Sequence, residues 1–398
     1  MTGFTAGDAA LADLVALRRA LHAHPEVGLD LPRTQAAVLT ALDGLGLEIT
    51  TGHGLTSVTA VLRGGRPGPV VLLRSDMDAL PVLEATGLPF AAANGAMHAC
   101  GHDLHMAGLV GAARLLAARR AQLPGTVVFM FQPGEEGYAG GRLMIEEGVL
   151  DAAGERPVAA YAVHVDCVTP KGRAVTRPGP MMSSVSALHI RVTGTGGHAA
   201  YPHHGFDPVP VAAEIILATQ SFVARRIPVA DPAVVSVTRV SSDSAAGNVL
   251  AASVSLEANI RALSPATLAL VRDELPALAV ALGEAHGCAV DTEYVESYPV
   301  TVNDPAETER VLAVLDERYG DRVVRLPFPG MASEDFAYVL EKVPGTLVFL
   351  GVRPEDGTSG PMHSDRAVFD DSRLDEHAAL LAELAWRRLA GRGAPRPR

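Results

Sequence analysis

The chain has 398 residues, 48% of them hydrophobic and 20% charged, with a formal net charge of -12 at neutral pH. That length exceeds what one compact core usually holds, so two domains are expected. The acidic balance excludes an electrostatic nucleic-acid footprint, and no apolar run is long enough to span a bilayer. Residues 1–16 lack a basic lead followed by an apolar stretch, so no signal peptide is expected. The tail 392–398, rich in Gly, Pro and Arg, reads as a frayed terminus. Three cysteines (Cys100, Cys167 and Cys288) are too few for a disulfide framework, and a reducing cytoplasm is the expected compartment.

In chain order, residues 11–21 have helical periodicity. Residues 70–73 form an apolar strand that runs into Arg74-Ser75-Asp76. Residues 105–123, rich in Ala and Leu, read as a helix. Residues 126–131 are a second apolar strand, delivering Gln132-Pro133-Gly134-Glu135-Glu136. Residues 158–163 are a third, expected to end at His164. Strand, polar loop and helix in repetition predict an α/β sheet with helices on both faces, whose ligands bind beyond the carboxyl ends of the strands.

The middle of the chain has another rhythm. Residues 185–192 alternate as a strand. Asp207-Pro208 opens a helix to about residue 226, and 234–240 and 254–260 are strands. Ser264-Pro265 opens a helix to about residue 286, and 289–295 close as a strand. Strand-helix-strand-strand-helix-strand is the order of a ferredoxin-like sandwich. A small α+β domain is therefore placed at 182–297, inserted into a larger domain of 1–181 plus 298–398. Asp304-Pro305 starts a helix of the returning domain and 374–389 form its last.

Chemistry concentrates at His98-Ala99-Cys100-Gly101-His102-Asp103-Leu104-His105. A thiolate and an imidazole two residues apart can face one metal ion if the backbone turns, and Gly101 permits that turn. Cys-x-His alone is a weak signal, but a core would not bury so many polar groups without partners. Glu135 and Glu136 follow an apolar strand directly, and adjacent carboxylates in a loop point in different directions. One can bind metal while its neighbour takes a proton from water, the division of labour that metal-assisted hydrolysis requires. His164, and His363 in the loop Gly360-Pro361-Met362-His363-Ser364-Asp365, complete a set with Cys100, His102 and Glu136. Five such ligands suffice for two divalent ions when one bridges. Zinc suits the sulfur and nitrogen donors, and manganese or cobalt is also accepted.

Asp78, in Ser75-Asp76-Met77-Asp78-Ala79-Leu80-Pro81, has two readings: turn chemistry ahead of a proline, or orientation of a ligand histidine. His198, in Thr193-Gly194-Thr195-Gly196-Gly197-His198, reads as a donor to a substrate oxygen, since no phosphate-loop Lys follows the glycines. Asn248 could add a donor. Arg261 is either a clamp for a substrate carboxylate or a solvated strand arginine.

The segments Arg18 to Glu26, Asp76 to Pro81, Met97 to His105, Gln132 to Gly137, Gly194 to Pro202 and Met331 to Phe336 resemble the aminoacylase and carboxypeptidase-G-like metallopeptidases. More narrowly, they are similar to amidohydrolases such as hippurate and auxin-conjugate hydrolases, over residues 11–390. The resemblance implies a two-metal catalytic domain interrupted by a ferredoxin-like domain that mediates a homodimer. It implies Cys100, His102, Glu136, His164 and His363 as ligands, Cys100 as the bridge and Glu135 as general base. The histidine matching His198 often reaches a partner subunit's site in relatives, assisted by residues matching Asn248 and Arg261. Two departures are visible: Asn248-Val249-Leu250-Ala251 where relatives often read Asn-Val-Ile-Pro, and Gly134 where alanine is common. The implied reaction is hydrolysis of a small N-acyl amino acid to a carboxylic acid and a free amino acid. A metallo-dipeptidase using the same centre, a thiol hydrolase with Cys100 as nucleophile and a scaffold without chemistry are the rival readings.

Overall fold

A computed structural model describes residue 4 and residues 8–391. The tail 392–398 and most of the first seven residues, on which two of the expectations above fall, lie outside that range. Two compact units emerge, 1–181 with 302–328 and 335–398, and 182–301 with 329–334.

The larger unit begins with α1 (Asp8–His22) and α2 (Pro32–Leu42), then β1 (Glu48–Thr51), β2 (Val58–Arg63) and β3 (Arg66–Asp76). Helix α3 (His102–Ala117), β4 (Pro124–Gln132), α4 (Gly140–Glu146), β5 (Ala159–Pro170) and β6 (Ala174–Thr176) follow. Helix α3 starts at His102, three residues earlier than its pattern predicts, because Gly101 adopts a left-handed conformation (φ 84°) and turns the chain into it. Every residue of α3 from His102 to Ala113 is buried, which fits an Ala- and Gly-rich helix with no polar face.

Strand β5 runs six residues past His164. Its parallel partner continues pairing through Asp166 and Pro170, so His164 lies inside a strand and not at the expected strand end. Polar Asp166, Thr169 and Pro170 hide that continuation from a hydrophobicity reading.

The inserted unit contains β7 (Val185–Thr193), α5 (Pro208–Arg226), β8 (Ala233–Ser242), β9 (Ser253–Ala262), α6 (Pro265–Ala285) and β10 (Ala289–Tyr298). The sheet order is β8-β9-β7-β10, all antiparallel, the ferredoxin-like arrangement. Leu188, Ile190, Val192, Leu256 and Ile260 pack beneath Val211, Ile215, Val271 and Leu275 of the two helices. Asp207 caps α5 through the Val209 N–H and Ser264 caps α6 through the Thr267 N–H, each followed by proline. Such caps contribute about 1 kcal/mol apiece. The segment 329–334 joins this unit through Ser183, whose hydroxyl donates to the Met331 carbonyl at 2.8 Å, a tie no local pattern announces.

The chain returns with α7 (Pro305–Tyr319), β11 (Val323–Arg325), β12 (Gly345–Arg353) and α8 (Leu374–Leu389). The large sheet has the order β1-β2-β4-β3-β5-β12-β6-β11, with parallel pairing at β4-β3, β3-β5 and β5-β12. Helix α8 lies directly on α3. A Cβ on Gly108 would sit 2.6 Å from the His377 ring, and one on Gly111 2.6 Å from Ala378, so the two backbones meet only because those positions are glycine. The result is a mixed α/β sheet whose parallel strands aim their carboxyl ends at one region. Among the described residues no helix is long and apolar enough to cross a membrane.

Candidate metal centre

Strands β3 and β4 run parallel with Asp76 beside Gln132, so the loops that leave them start together. Asp78 binds the two loops into one piece. Its carboxylate accepts the Glu135 N–H at 2.9 Å and the Glu136 N–H at 3.0 Å. Its carbonyl oxygen, 2.8 Å from His102 Nδ1, can only accept, so Nδ1 carries the proton. When the ring is neutral, His102 Nε2 then presents its lone pair. Orientation of His102 thus runs through the Asp78 backbone, and the Asp78 side chain sets the Glu135-Glu136 turn.

Gly101 carries the chain from Cys100 into α3. Its left-handed φ favours glycine, and a Cβ there would lie 2.5 Å from Val165. Cys100 Sγ sits 3.2 Å from His363 Nε2 and 3.5 Å from His164 Nε2. His164 Nδ1 donates to the Val165 carbonyl at 2.6 Å, again leaving Nε2 toward the sulfur. Glu136 Oε1 is 3.4 Å from His363 Nε2 and 4.0 Å from His102 Nε2. The structure therefore brings Cys100, His102, Glu136, His164 and His363 to one place. His363 has φ 65°, one of two positive values outside glycine among the described residues, and its N–H is held by the Ala99 carbonyl. Such outliers persist where surrounding structure imposes them.

Glu135 points elsewhere. It is buried, and its Oε1 accepts the Asp335 N–H at 3.4 Å. The adjacent glutamates diverge, one carboxylate toward the Cys100 cluster and one toward Asp335.

Electrostatics at the cluster favour added positive charge. Burial opposes a charged His102, yet Asp76, Asp78 and Glu136 outweigh it and raise its pKa to about 10. Burial pushes the Glu136 carboxyl up to about 7 against the opposing pull of His102. Two buried atoms, His102 Nε2 and Glu136 Oε1, make no hydrogen bond. Unpaired buried polar atoms are costly, and a divalent cation would satisfy both. Sulfur, imidazole nitrogen and carboxylate are the donor types such an ion takes. Cys100, His102 and Glu136 together lie close enough to share one.

His105, although close by, is already committed. Its Nδ1 faces Asp76 Oδ1 at 2.5 Å and its Nε2 accepts the Val165 N–H at 2.8 Å. Beneath it lies a buried network that sequence reasoning missed. Arg74 donates to Gln132 at 2.9 Å, to Asp76 at 2.8 Å and to Asp335 at 2.9 Å. Gln132 also donates to Asp335 at 2.7 Å. An arginine inside an otherwise apolar strand was the available signal for Arg74; Asp335 lies in the segment Met331 to Phe336, but nothing local ties it to Arg74.

His198, Asn248 and Arg261 belong to the inserted unit. His198 is exposed and pairs with Val249 in a two-residue ladder, beside Asn248, whose carbonyl accepts the Ala199 N–H at 3.0 Å. Arg261 is half-buried and donates to Asn259 at 3.2 Å and Ser333 at 3.1 Å. Among the described residues it has no carboxylate partner, and burial lowers its pKa.

Residues 72–387 match the family described as peptidase family M20/M25/M40. N-acetylcysteine deacetylase of Bacillus subtilis is 36% identical over 375 residues, covering 94% of this chain and 96% of that protein. Thermostable carboxypeptidase 1 of Saccharolobus solfataricus is 35% identical over 378 residues, 94% of each. A solved Bacillus subtilis structure, described as a dinuclear metal binding peptidase from the M20 family, superposes with a TM-score of 0.84. It is 32% identical and covers 97% of this chain and 99% of that one. The chain belongs to peptidase family M20/M25/M40. It is a metal-dependent hydrolase of linear amide bonds.

Proposed function

We propose that the substrate is an N-acyl amino acid, cleaved to a carboxylic acid and a free amino acid, with Cys100, His102, Glu136, His164 and His363 holding two divalent ions. Cys100 would be the ligand shared between them, with two imidazole nitrogens beside its sulfur at 3.2 and 3.5 Å. Zinc suits this donor set best, and manganese or cobalt also fits. When bound, the ions supply Lewis acidity, lowering the pKa of water and polarising the acyl carbonyl. The observation that carries the reading is the divergence of the two adjacent glutamates. Glu136 faces the cluster, and Glu135 lies one residue away with its carboxylate turned toward Asp335. Glu135 takes a proton from water as its oxygen attacks the acyl carbon, then delivers that proton to the leaving nitrogen as the C–N bond breaks. Asp78 is a positioning residue, holding both glutamate amides.

His198, Asn248 and Arg261 are assigned to the substrate. His198 donates to the developing oxyanion, and Arg261, which has no carboxylate partner among the described residues, takes that of the substrate. The acyl amino acid assignment is supported by the named deacetylase relative. The carboxypeptidase relative keeps a dipeptidase reading as the alternative. The assembly is a cytoplasmic homodimer joined through the inserted unit. Its edge strand β8 leaves Val234 and Val240 exposed, and none of the three cysteines is in a disulfide.

The test is Glu135→Gln, with turnover falling by about a hundredfold or more while metal content stays at the wild-type level. Activity retained in that variant overturns the role of Glu135. Rates on N-acyl amino acids set against dipeptides decide the substrate class. Loss of activity with chelator and rescue by Zn, Mn or Co excludes Cys100 as a nucleophile.

A further inference from the structure

The first helix carries a histidine that the chemistry above does not use. His22, on the last turn of α1, is fully buried. Its Nδ1 lies 2.8 Å from Asp103 Oδ2 and its Nε2 lies 3.2 Å from Glu84 Oε1. With a carboxylate at each nitrogen, the ring serves as a double donor. Burial opposes the charge, but Asp103 and Glu84 outweigh it and hold the imidazolium up to about 9.

Each of those carboxylates adjoins a different arm of the metal centre. Asp103 follows His102 at the start of α3 and also accepts from Arg18 Nε at 2.7 Å. Glu84 precedes Ala85, whose N–H donates to the Asp365 carbonyl at 2.8 Å, two residues beyond His363. Glu84 is itself fixed by the Ala92 N–H at 2.7 Å. One imidazolium therefore links the helix that presents His102 to the strap that carries the His363 loop. The strap has no regular pairing of its own, since residues 81–96 contain no helix or strand. A buried ionic group adds little net stability over an apolar one, so its use here is geometric.

We propose that His22 is a positioning residue of the metal centre, setting the separation of His102 from His363 by clipping Asp103 to Glu84. This rests on the metal reading of the cluster. Groups hydrogen-bonded directly to metal ligands typically change metal affinity by about 10- to 100-fold when removed, and His22 acts one residue further out, so the lower end of that range is expected.

The test is a Co2+ titration of chelator-stripped protein, followed by the visible absorption of the bound ion. His22→Gln is expected to weaken Co2+ binding by about tenfold and to change the spectrum, and Glu84→Gln to weaken it less. Tyr161→Phe serves as the control. It removes a buried 2.7 Å hydrogen bond to Glu307, should lower Tm, and should leave Co2+ affinity unchanged. A folded His22→Gln that binds Co2+ within about twofold of wild type overturns the proposal. If His22→Gln does not fold, unchanged affinity in Glu84→Gln overturns it. A wild-type protein that takes up no Co2+ overturns the metal reading and this inference together, whereas tight wild-type binding with an unaffected variant overturns this inference alone.

Discussion

Two buried polar regions meet at the start of α3, and they are built on opposite principles. In the network of Arg74, Asp76, Gln132 and Asp335, the guanidinium donates to three partners between 2.8 and 2.9 Å. In the cluster of Cys100, His102, Glu136, His164 and His363, His102 Nε2 and Glu136 Oε1 are buried without hydrogen bonds. The first region is complete within the chain and works as scaffold. The second is complete only with a ligand. A residue's burial therefore says little about its role, whereas the pairing of its individual atoms says a great deal. His102 and His105 sit one turn apart on one helix, yet only the first leaves a nitrogen unpaired.

The sharpest way to break this distinction is to remove charge from the completed region. Arg74→Met leaves Asp76 and Asp335 as buried carboxylates without their guanidinium. Breaking a buried ionic network by deleting one partner costs about 3–5 kcal/mol. Urea unfolding of metal-free protein should show that loss. A cost below about 1 kcal/mol would mean that the network is not scaffold.

Much of this was legible in the sequence, for local reasons. Asp207-Pro208, Ser264-Pro265 and Asp304-Pro305 each marked a helix start, because capping and proline act within a few residues. The density of polar groups around Cys100 and the glutamate pair after β4 were equally local. What escaped notice was nonlocal. The partner of Arg74 at Asp335 lies 261 residues away, and the pairing that extends β5 past His164 depends on β12. Segment 329–334 joins the inserted unit through hydrogen bonds to Ser183 and Thr301 that no periodicity encodes.

The second prediction concerns charge that is paired but titratable. His22 has its pKa raised from 6.5 to about 9. A group whose folded pKa is raised contributes stability that is complete below the unfolded pKa and lost as pH climbs through the folded one. The stabilisation is therefore present at pH 6 and fades between about 6.5 and 9, to a total of about 3 kcal/mol at most. The gap in unfolding free energy between wild type and His22→Gln, measured without metal from pH 6 to 10, should narrow across that window. A gap independent of pH would show that the ring is neutral in the folded protein.

The smallest expected effect is the most discriminating. Glu136→Gln replaces a carboxylate with an amide of the same shape in the incomplete region. Oε1 makes no hydrogen bond and burial disfavours the charged carboxyl, so the lost attraction for His102 is offset by cheaper burial of the amide. Metal-free stability should therefore stay within about 1 kcal/mol of wild type. Metal binding should fall steeply in the same variant, since a neutral amide is a poorer ligand for a divalent ion than a carboxylate. Stability and metal content thus separate at Glu136, whereas Arg74 is tested through stability alone. If Glu136→Gln instead unfolded the metal-free chain, Glu136 would belong with the scaffold, and the unpaired atom would no longer mark the place a cation fills.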